Sequence, residues 1–536
     1  MFGIERSAWL LTILSVVLQV VIFPLPNFYV LSWIALAPLL IALLRARHPE
    51  TLQLKGEVKL LPATPMQGFL LGYVCGIIWY GGTCYWIYST MKQYGGINAL
   101  GAAGLLILFC LYLGLYHGLF GLIVSWLAGS AASVRGALVL SPFVWVAVEL
   151  ARTRVTGFPW DLLGTVQVDN ILLAKIATLT GVYGLSLEIM IVNVAFAAAF
   201  VIERNLAWRN RRRALLLAAL SAASLLQIAR WIPAPSLPAD HSALLVQENV
   251  PVLENADWTK QYFDDTLADL TRISLNPVAS EPRHPDLIVW PESPAPFYTG
   301  DPLFRSAVSH LAVSAQAWVV AGGIGVENAS TSSAQTTQVF NSAALVSPSG
   351  DWIARYDKMH LVPFGEYVPF KQWLSFAGGL TKEVGDFSRG VSRAPLPAGD
   401  QKLGVFICYE SIFPDEIRQS VKQGAQVLVN ISNDGWYGDS GAYAQHIKQA
   451  RMRAVENARW LLRDTNTGVT ASIDPNGRVA QSAPRKVRTV LQASYALSND
   501  TTFYTHHGDW LAYGCAIISI GAIIVSFTRA KATRIG

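Results

Sequence analysis

Three short apolar runs in the second half of the chain each end in a side chain that can do chemistry. Leu287-Ile288-Val289-Trp290-Pro291-Glu292 delivers a carboxylate just past a strand-like run, which Pro291 ends because it has no N–H to donate to a ladder. Trp352-Ile353-Ala354-Arg355 leads through Tyr356-Asp357 to the ammonium of Lys358, and Val405-Phe406-Ile407 leads to the thiol of Cys408. Acid, amine and thiol could converge at one sheet edge. A thiol with a pKa near 8.5 is only a few per cent thiolate at neutral pH, so a nucleophilic cysteine needs a base or a nearby cation. Glu292 can take the proton and Lys358 can supply the positive field. Taken singly, each residue also has a plainer reading: Cys408 as a small core residue, Glu292 as a loop or cap carboxylate, Lys358 as a solvated charge at a strand end.

The elements that must position these groups are short strands alternating with amphipathic stretches. Strand-like runs fall at 244–247, 287–290, 318–321, 343–347, 403–407, 427–431 and 468–473, with helical patterns at 258–273, 303–316 and 444–459 and a helix-like stretch from Ser411 to Gln419. This alternation predicts an α/β layered domain. The polar stretch Asn328 to Gln338 reads as a loop between strands, and Gly322-Gly323-Ile324-Gly325 reads as a strand-end turn that does not complete a dinucleotide fingerprint.

The first 235 residues are different. The chain has 536 residues, of which 52% are hydrophobic and only 14% charged, against about 25% charged in soluble proteins. Apolar runs at 8–25, 28–44, 67–88, 98–127, 136–151, 171–202, 214–232 and 510–528 make about eight spans, each near the roughly 17 to 25 residues a bilayer needs. Arg6, Arg45, Arg47, Arg135, the cluster Arg209 to Arg213, and Arg529 and Lys531 fall on one side if these spans alternate. The excess of basic residues marks that side as cytoplasmic and places the intervening soluble part on the other. A net charge of +5, scattered in this way, does not suggest nucleic acid. Of five cysteines only Cys408 lies in the soluble part, which excludes a secreted disulfide framework and a cysteine-based zinc site. His446, His506 and His507 show no metal-ligand spacing with acidic partners.

Longer motifs carry a resemblance. Trp290-Pro291-Glu292-Ser293, Tyr356-Asp357-Lys358-Met359-His360-Leu361-Val362-Pro363-Phe364-Gly365-Glu366-Tyr367-Val368-Pro369 and Ile407-Cys408-Tyr409-Glu410-Ser411 resemble the Glu, Lys and Cys motifs of the nitrilase superfamily. The second motif, Asn430-Ile431-Ser432-Asn433-Asp434-Gly435-Trp436 and Gly157-Phe158-Pro159-Trp160 are similar to the apolipoprotein N-acyltransferase branch, as is the arrangement of seven spans, soluble domain and one last span. The resemblance covers essentially the whole chain. It implies a membrane α-helical bundle at 1–235, a periplasmic nitrilase-like αββα sandwich at 240–497 and a C-terminal span at 508–530, in the inner membrane of a Gram-negative bacterium.

By the same resemblance Glu292 is the general base, Cys408 attacks an acyl carbonyl and Lys358 helps hold the oxyanion. Glu366 is similar to the family's second carboxylate, which orients Lys358 and the incoming amine; Tyr409 and Glu410 are supporting positions beside the nucleophile, and Asn341 a polar contact. The implied reaction is ping-pong: a phospholipid acylates Cys408 as a thioester, which then acylates the α-amino group of a lipoprotein's N-terminal diacylglyceryl-cysteine. No metal or cofactor is required, and the expected assembly is a monomer. Phe370, Trp373 and Phe376 around Gly378-Gly379 have what a lipid-facing lid needs, or equally pack onto the domain. At the entry to the last span His506 stands where the family pattern has Arg. Two rivals remain at this level: a membrane-tethered amidase that passes the acyl group to water, and a transporter with a soluble appendage, for which Glu149, Lys175 and Glu188 are the intramembrane ionisable candidates.

Overall fold

The computed structural model describes residues 3–48, 60–129, 133–201, 208–233, 235, 238–252, 258–280, 284–292, 295–331, 334–367 and 387–535. The chain forms two compact units, one of Met1–Tyr88, Leu100–Pro233 and Asp509–Gly536, the other of Ser89–Ala99 and Ala234–Gly508.

Among the described residues, four helices are long and apolar enough to cross a membrane: Ala99–Gly129, Val134–Thr156, Val182–Val201 and Trp510–Thr528. A fifth span results if Pro65–Thr83 and Trp86–Gln93, bent by 53°, count as one. The run at 98–127 is a single helix. The run at 171–202 is not: it breaks into Ile171–Ala174, Ala177–Thr180 and Val182–Val201, with Gly181 at φ +65 supplying the left-handed turn before the last of them. The run at 28–44 divides into a 3-10 turn, Tyr29–Trp33, and a helix, Ala37–Leu44, with Pro38 in its first turn where a missing N–H costs nothing. Leu100 and Ile517 are 86% and 71% exposed, as apolar side chains facing lipid would be. Helix Pro65–Thr83 packs on Ala99–Gly129 through Gly68 and Gly72. A Cβ at Gly68 would lie 2.4 Å from the Gly121 carbonyl oxygen, and one at Gly72 would lie 2.2 Å from that of His117. Small residues at this spacing let two backbones touch where no hydrophobic effect drives association.

The second unit is built on twelve strands: β1 His241–Gln247, β2 Leu287–Val289, β3 Trp318–Thr331, β4 Ala334–Val346, β5 Trp352–Asp357, β6 Leu396–Ala398, β7 Gln401–Ile407, β8 Val427–Ser432, β9 Leu461–Thr465, β10 Ala471–Ile473, β11 Val479–Ser482 and β12 Thr489–Tyr495. They form two six-stranded sheets, ordered β12-β1-β2-β3-β4-β5 and β11-β10-β9-β8-β7-β6. Strand side chains alternate between faces, and here both faces are apolar. Leu245, Val289, Val320 and Leu345 of the first sheet share a core with Val405, Ile407, Val429 and Leu462 of the second. The alternate residues Leu244, Ile288 and Val319 pack on helices Lys260–Ser280 and Pro302–Ala315 through Leu270, Phe304, Val308 and Leu311. Phe406, Leu428 and Leu461 pack on Pro414–Lys422 and Ala442–Asn457 through Ile417, Val421, Ala450 and Ala454. The layers are therefore helix, sheet, sheet, helix.

Two expectations are corrected. Within Asn328 to Gln338 the described residues, 328–331 and 334–338, are paired strand and not loop: the β3–β4 ladder continues through Asn328↔Thr337 to Thr331↔Ala334. Glu327, Asn328, Thr337 and Gln338 are exposed, and an antiparallel ribbon with solvated faces tolerates polar residues that conceal its strand pattern. Gly322 to Gly325 is also inside that ladder rather than at its end. Glycine is needed there for space, since a Cβ at Gly325 would lie 2.5 Å from Ser342 Oγ.

Candidate active site

Strands β2 and β5 run in the same direction, because β2 pairs parallel with β3 and two antiparallel pairings separate β3 from β5. Glu292 and Lys358, each just past its strand, thus come to the same end of the first sheet. There Lys358 Nζ lies 3.2 Å from Glu292 Oε1 and 2.9 Å from Glu366 Oε1. Asn341, inside β4, donates from Nδ2 to the same two oxygens, at 2.8 Å to Glu292 and 2.7 Å to Glu366. The other oxygens are held by main chain: Asn433 N donates to Glu292 Oε2 at 2.7 Å and Val362 N to Glu366 Oε2 at 2.8 Å. Lys358 is 1% exposed. Burial alone would lower its pKa, but the flanking carboxylates outweigh that cost and hold it well above the ordinary lysine range. The three groups form a locked ammonium with one carboxylate on each side. Asn341 Oδ1 has no hydrogen-bond partner among the described residues although the side chain is buried.

Cys408 follows β7, whose parallel neighbour β8 leads to Asn433. It begins a 3-10 turn, Cys408–Ile412, at φ +49, a left-handed conformation that side chains other than glycine rarely adopt. The thiol is buried and interacts electrostatically with both Glu292 and Lys358. Burial first, then the Glu292 carboxylate, push its pKa up, and Lys358 pulls only partly the other way, so the resting group is a thiol rather than a thiolate.

Glu410 joins the lysine and cysteine segments. It accepts from Ile407 N at 2.7 Å, Met359 N at 2.6 Å, His360 N at 3.1 Å and the Tyr356 hydroxyl at 2.9 Å. Burial pushes its pKa up to about 7 against the pull of those N–H groups. Tyr409, next to Cys408 in the chain, is buried, its ring edge-on to Phe413 at 5.3 Å. The lid candidates Phe370, Trp373, Phe376, Gly378 and Gly379 lie outside the described residues. His506 sits in the helix Phe503–His507 and hydrogen-bonds Thr501 Oγ1 at 2.5 Å.

The contacts of several groups at this site went unread in the sequence, although Asp434 lies within the Asn430–Trp436 motif. Asp434, Arg463 and His446 form a buried cluster: Arg463 donates to Asp434 Oδ2 at 2.8 Å, and His446 Nδ1 lies 3.0 Å from Asp434 Oδ1. Burial works to raise Asp434, but the Arg463 guanidinium beside it holds the carboxyl below the usual range. Tyr437 is buried within the fields of Cys408, Asp434 and Glu292, one residue past the Asn430–Trp436 motif that could have flagged it. Segment Ser89–Ala99 also belongs to this unit. Thr90 Oγ1 donates to the Trp436 carbonyl at 2.9 Å and the Tyr94 hydroxyl to that of Gly435 at 3.0 Å, bracing the turn that follows Asn433. Among the described residues no group of three or more His, Cys, Asp or Glu side chains could hold a metal ion.

Two paired sheets between helices, with a Glu, Lys and Cys brought to the strand ends, define the class: residues 250–500 match the carbon-nitrogen hydrolase family, a nitrilase-like fold. Residues 15–195 match the apolipoprotein N-acyltransferase N-terminal domain. The chain is 36% identical to an apolipoprotein N-acyltransferase of Geobacter metallireducens, over 98% of this chain and 96% of that one. It is 35% identical to one of Methylococcus capsulatus, over 88% and 89%. Among solved structures it is similar to Saccharomyces cerevisiae Nit3, a member of branch 10 of the nitrilase superfamily, at 19% identity and a TM-score of 0.37, covering 49% of this chain and 93% of that one. The chain belongs to the apolipoprotein N-acyltransferase family.

Proposed function

We propose that this enzyme moves an acyl chain from a phospholipid to the α-amino group of the N-terminal diacylglyceryl-cysteine of lipoproteins, by a ping-pong route through a thioester on Cys408. The observation that carries the reading is the Lys358 ammonium fixed between Glu292 and Glu366 and within the field of the Cys408 thiol. In the first half, Glu292 accepts the thiol proton as sulfur adds to the ester carbonyl. Lys358 has three N–H donors, of which Glu292 and Glu366 occupy two, so a third is left for the oxyanion. Collapse breaks the ester C–O bond, and the proton on Glu292 passes to the departing lysophospholipid oxygen. In the second half a neutral amine adds to the thioester and the C–S bond breaks. The amine proton leaves through Glu292 and restores the thiol. Glu366 and Asn341 position Lys358 and Glu292, and the unpartnered Asn341 Oδ1 is suited to accept from the incoming amine.

The bias of the basic residues supports termini in the cytoplasm and a catalytic unit in the periplasm, with the chain crossing the inner membrane about eight times if its shorter and broken helices also traverse. We read the functional form as a monomer that needs no metal or cofactor. The test is the intact mass of purified protein mixed with phospholipid, with Cys408→Ser alongside. The wild type is expected to gain one acyl mass that neutral hydroxylamine removes. No gain, or a hydroxylamine-sensitive gain in the variant, would contradict the reading.

A further inference from the structure

Cys408 sits at φ +49, a strained backbone conformation that persists only where the surrounding structure over-determines it, and groups from other elements grip the chain around it. His446, on helix Ala442–Asn457, lies with Nε2 3.0 Å from the Cys408 carbonyl oxygen. A carbonyl can only accept, so Nε2 carries the proton. Its Nδ1 faces Arg463, whose guanidinium nitrogen is 3.0 Å away, and Asp434. Arg463, on β9, reaches on to Asn430 Oδ1, and Asn430, on β8, donates from Nδ2 to the Phe406 carbonyl at 3.1 Å. The chain thus grips β7 at Phe406, two residues before the nucleophile, and again at Cys408 itself. Asp434 also receives the Ser432 hydroxyl at 2.8 Å. None of Asn430, Asp434, His446 and Arg463 is more than 1% exposed.

Replacing such a buried ionic group with packed apolar residues is often neutral or stabilising, so stability alone does not account for it. We propose that His446 is a positioning residue for the acyl transfer: its Nε2–H, with the ring oriented by the Arg463 guanidinium that donates to Nδ1, holds the Cys408 carbonyl so that the thiol stays aimed at the substrate carbonyl beside Glu292 and Lys358. Burial and the neighbouring Arg463 depress the imidazole pKa, consistent with a neutral ring that serves as a fixed donor and not as an acid or base. The inference rests on Cys408 being the nucleophile.

The experiment measures the single-turnover rate of thioester formation, by intact mass after rapid mixing with phospholipid vesicles, for wild type, His446→Leu and His446→Gln, with thermal melting of each. His446→Leu is expected to slow acylation about 100-fold, the loss a 1 Å misplacement of a reacting group produces. His446→Gln, whose amide nitrogen can occupy the Nε2 position, is expected to restore most of the rate and keep the wild-type pH profile. Should the leucine variant not fold, His446→Asn, one methylene too short to reach the carbonyl, replaces it against glutamine. A wild-type rate in the leucine or asparagine variant overturns the proposal, and so does an equal loss in the glutamine variant, which would point to proton transfer by His446. A wild type that forms no thioester sinks the nucleophile assignment itself, and the two failures are thereby told apart.

Discussion

At the residue scale the proposed mechanism separates two jobs that one group cannot do at once. The Cys408 thiol is buried and protonated, and in the proposed mechanism the charge that activates it is stored beside it in Glu292 and Lys358. A resting thiolate would be exposed to oxidation and alkylation; a thiol that loses its proton only as it attacks is not. The ultraviolet thiolate band, taken as the difference between wild type and Cys408→Ser, should therefore stay absent up to pH 9, because burial moves the thiol above its ordinary range. A band that titrates near neutrality would mean that Lys358 outweighs burial and Glu292. Lys358→Met removes the proposed oxyanion donor, worth about 3 to 4 kcal/mol, and should lower the acylation rate several hundred-fold in stopped-flow mass measurements. Glu366→Gln keeps a hydrogen bond to Lys358 but removes one of its two flanking charges, and is expected to cost less than Lys358→Met in the same assay.

At the element scale, Glu410 ties the segment after β5 to the segment after β7. Its carboxyl is raised in the folded protein to about 7 from an ordinary 4.5, so the folded state binds that proton more tightly than the unfolded state does. The resulting contribution to stability is complete below about pH 4.5 and is lost as pH rises through about 7. The melting temperature of wild type minus that of Glu410→Gln should accordingly fall between pH 5 and pH 8; a difference that grows with pH would show the carboxylate form to be the favoured one. The elements also explain what could be read in advance. Glu292, Lys358 and Cys408 were legible because each ends a run of residues with a strand's composition. Asp434, His446 and Arg463 were not, since their contacts span 12 and 29 residues and join a turn, a helix and a strand with no local pattern in common. The break at Gly181 was hidden for a related reason: hydropathy is continuous across it, and a window of apolar residues does not register a left-handed turn.

At the scale of the whole molecule, the orientation proposed for the second unit is periplasmic. All five native cysteines are buried, so single exposed cysteines can report topology. Glu327→Cys in intact spheroplasts should react with a membrane-impermeant maleimide, and Arg135→Cys should react only after lysis; the reverse pattern would invert the proposed orientation. The claim beneath all of this is that the acyl group waits on Cys408 for an amine and not for water. Its most direct measurement starts from acyl-enzyme freed of excess phospholipid and follows the intact mass after mixing with a diacylated lipopeptide or with buffer. Loss of the acyl mass with the lipopeptide, matched by its appearance on the peptide's α-amino group, together with persistence in buffer, is the expected result. Equal decay in both would identify a hydrolase and contradict the account.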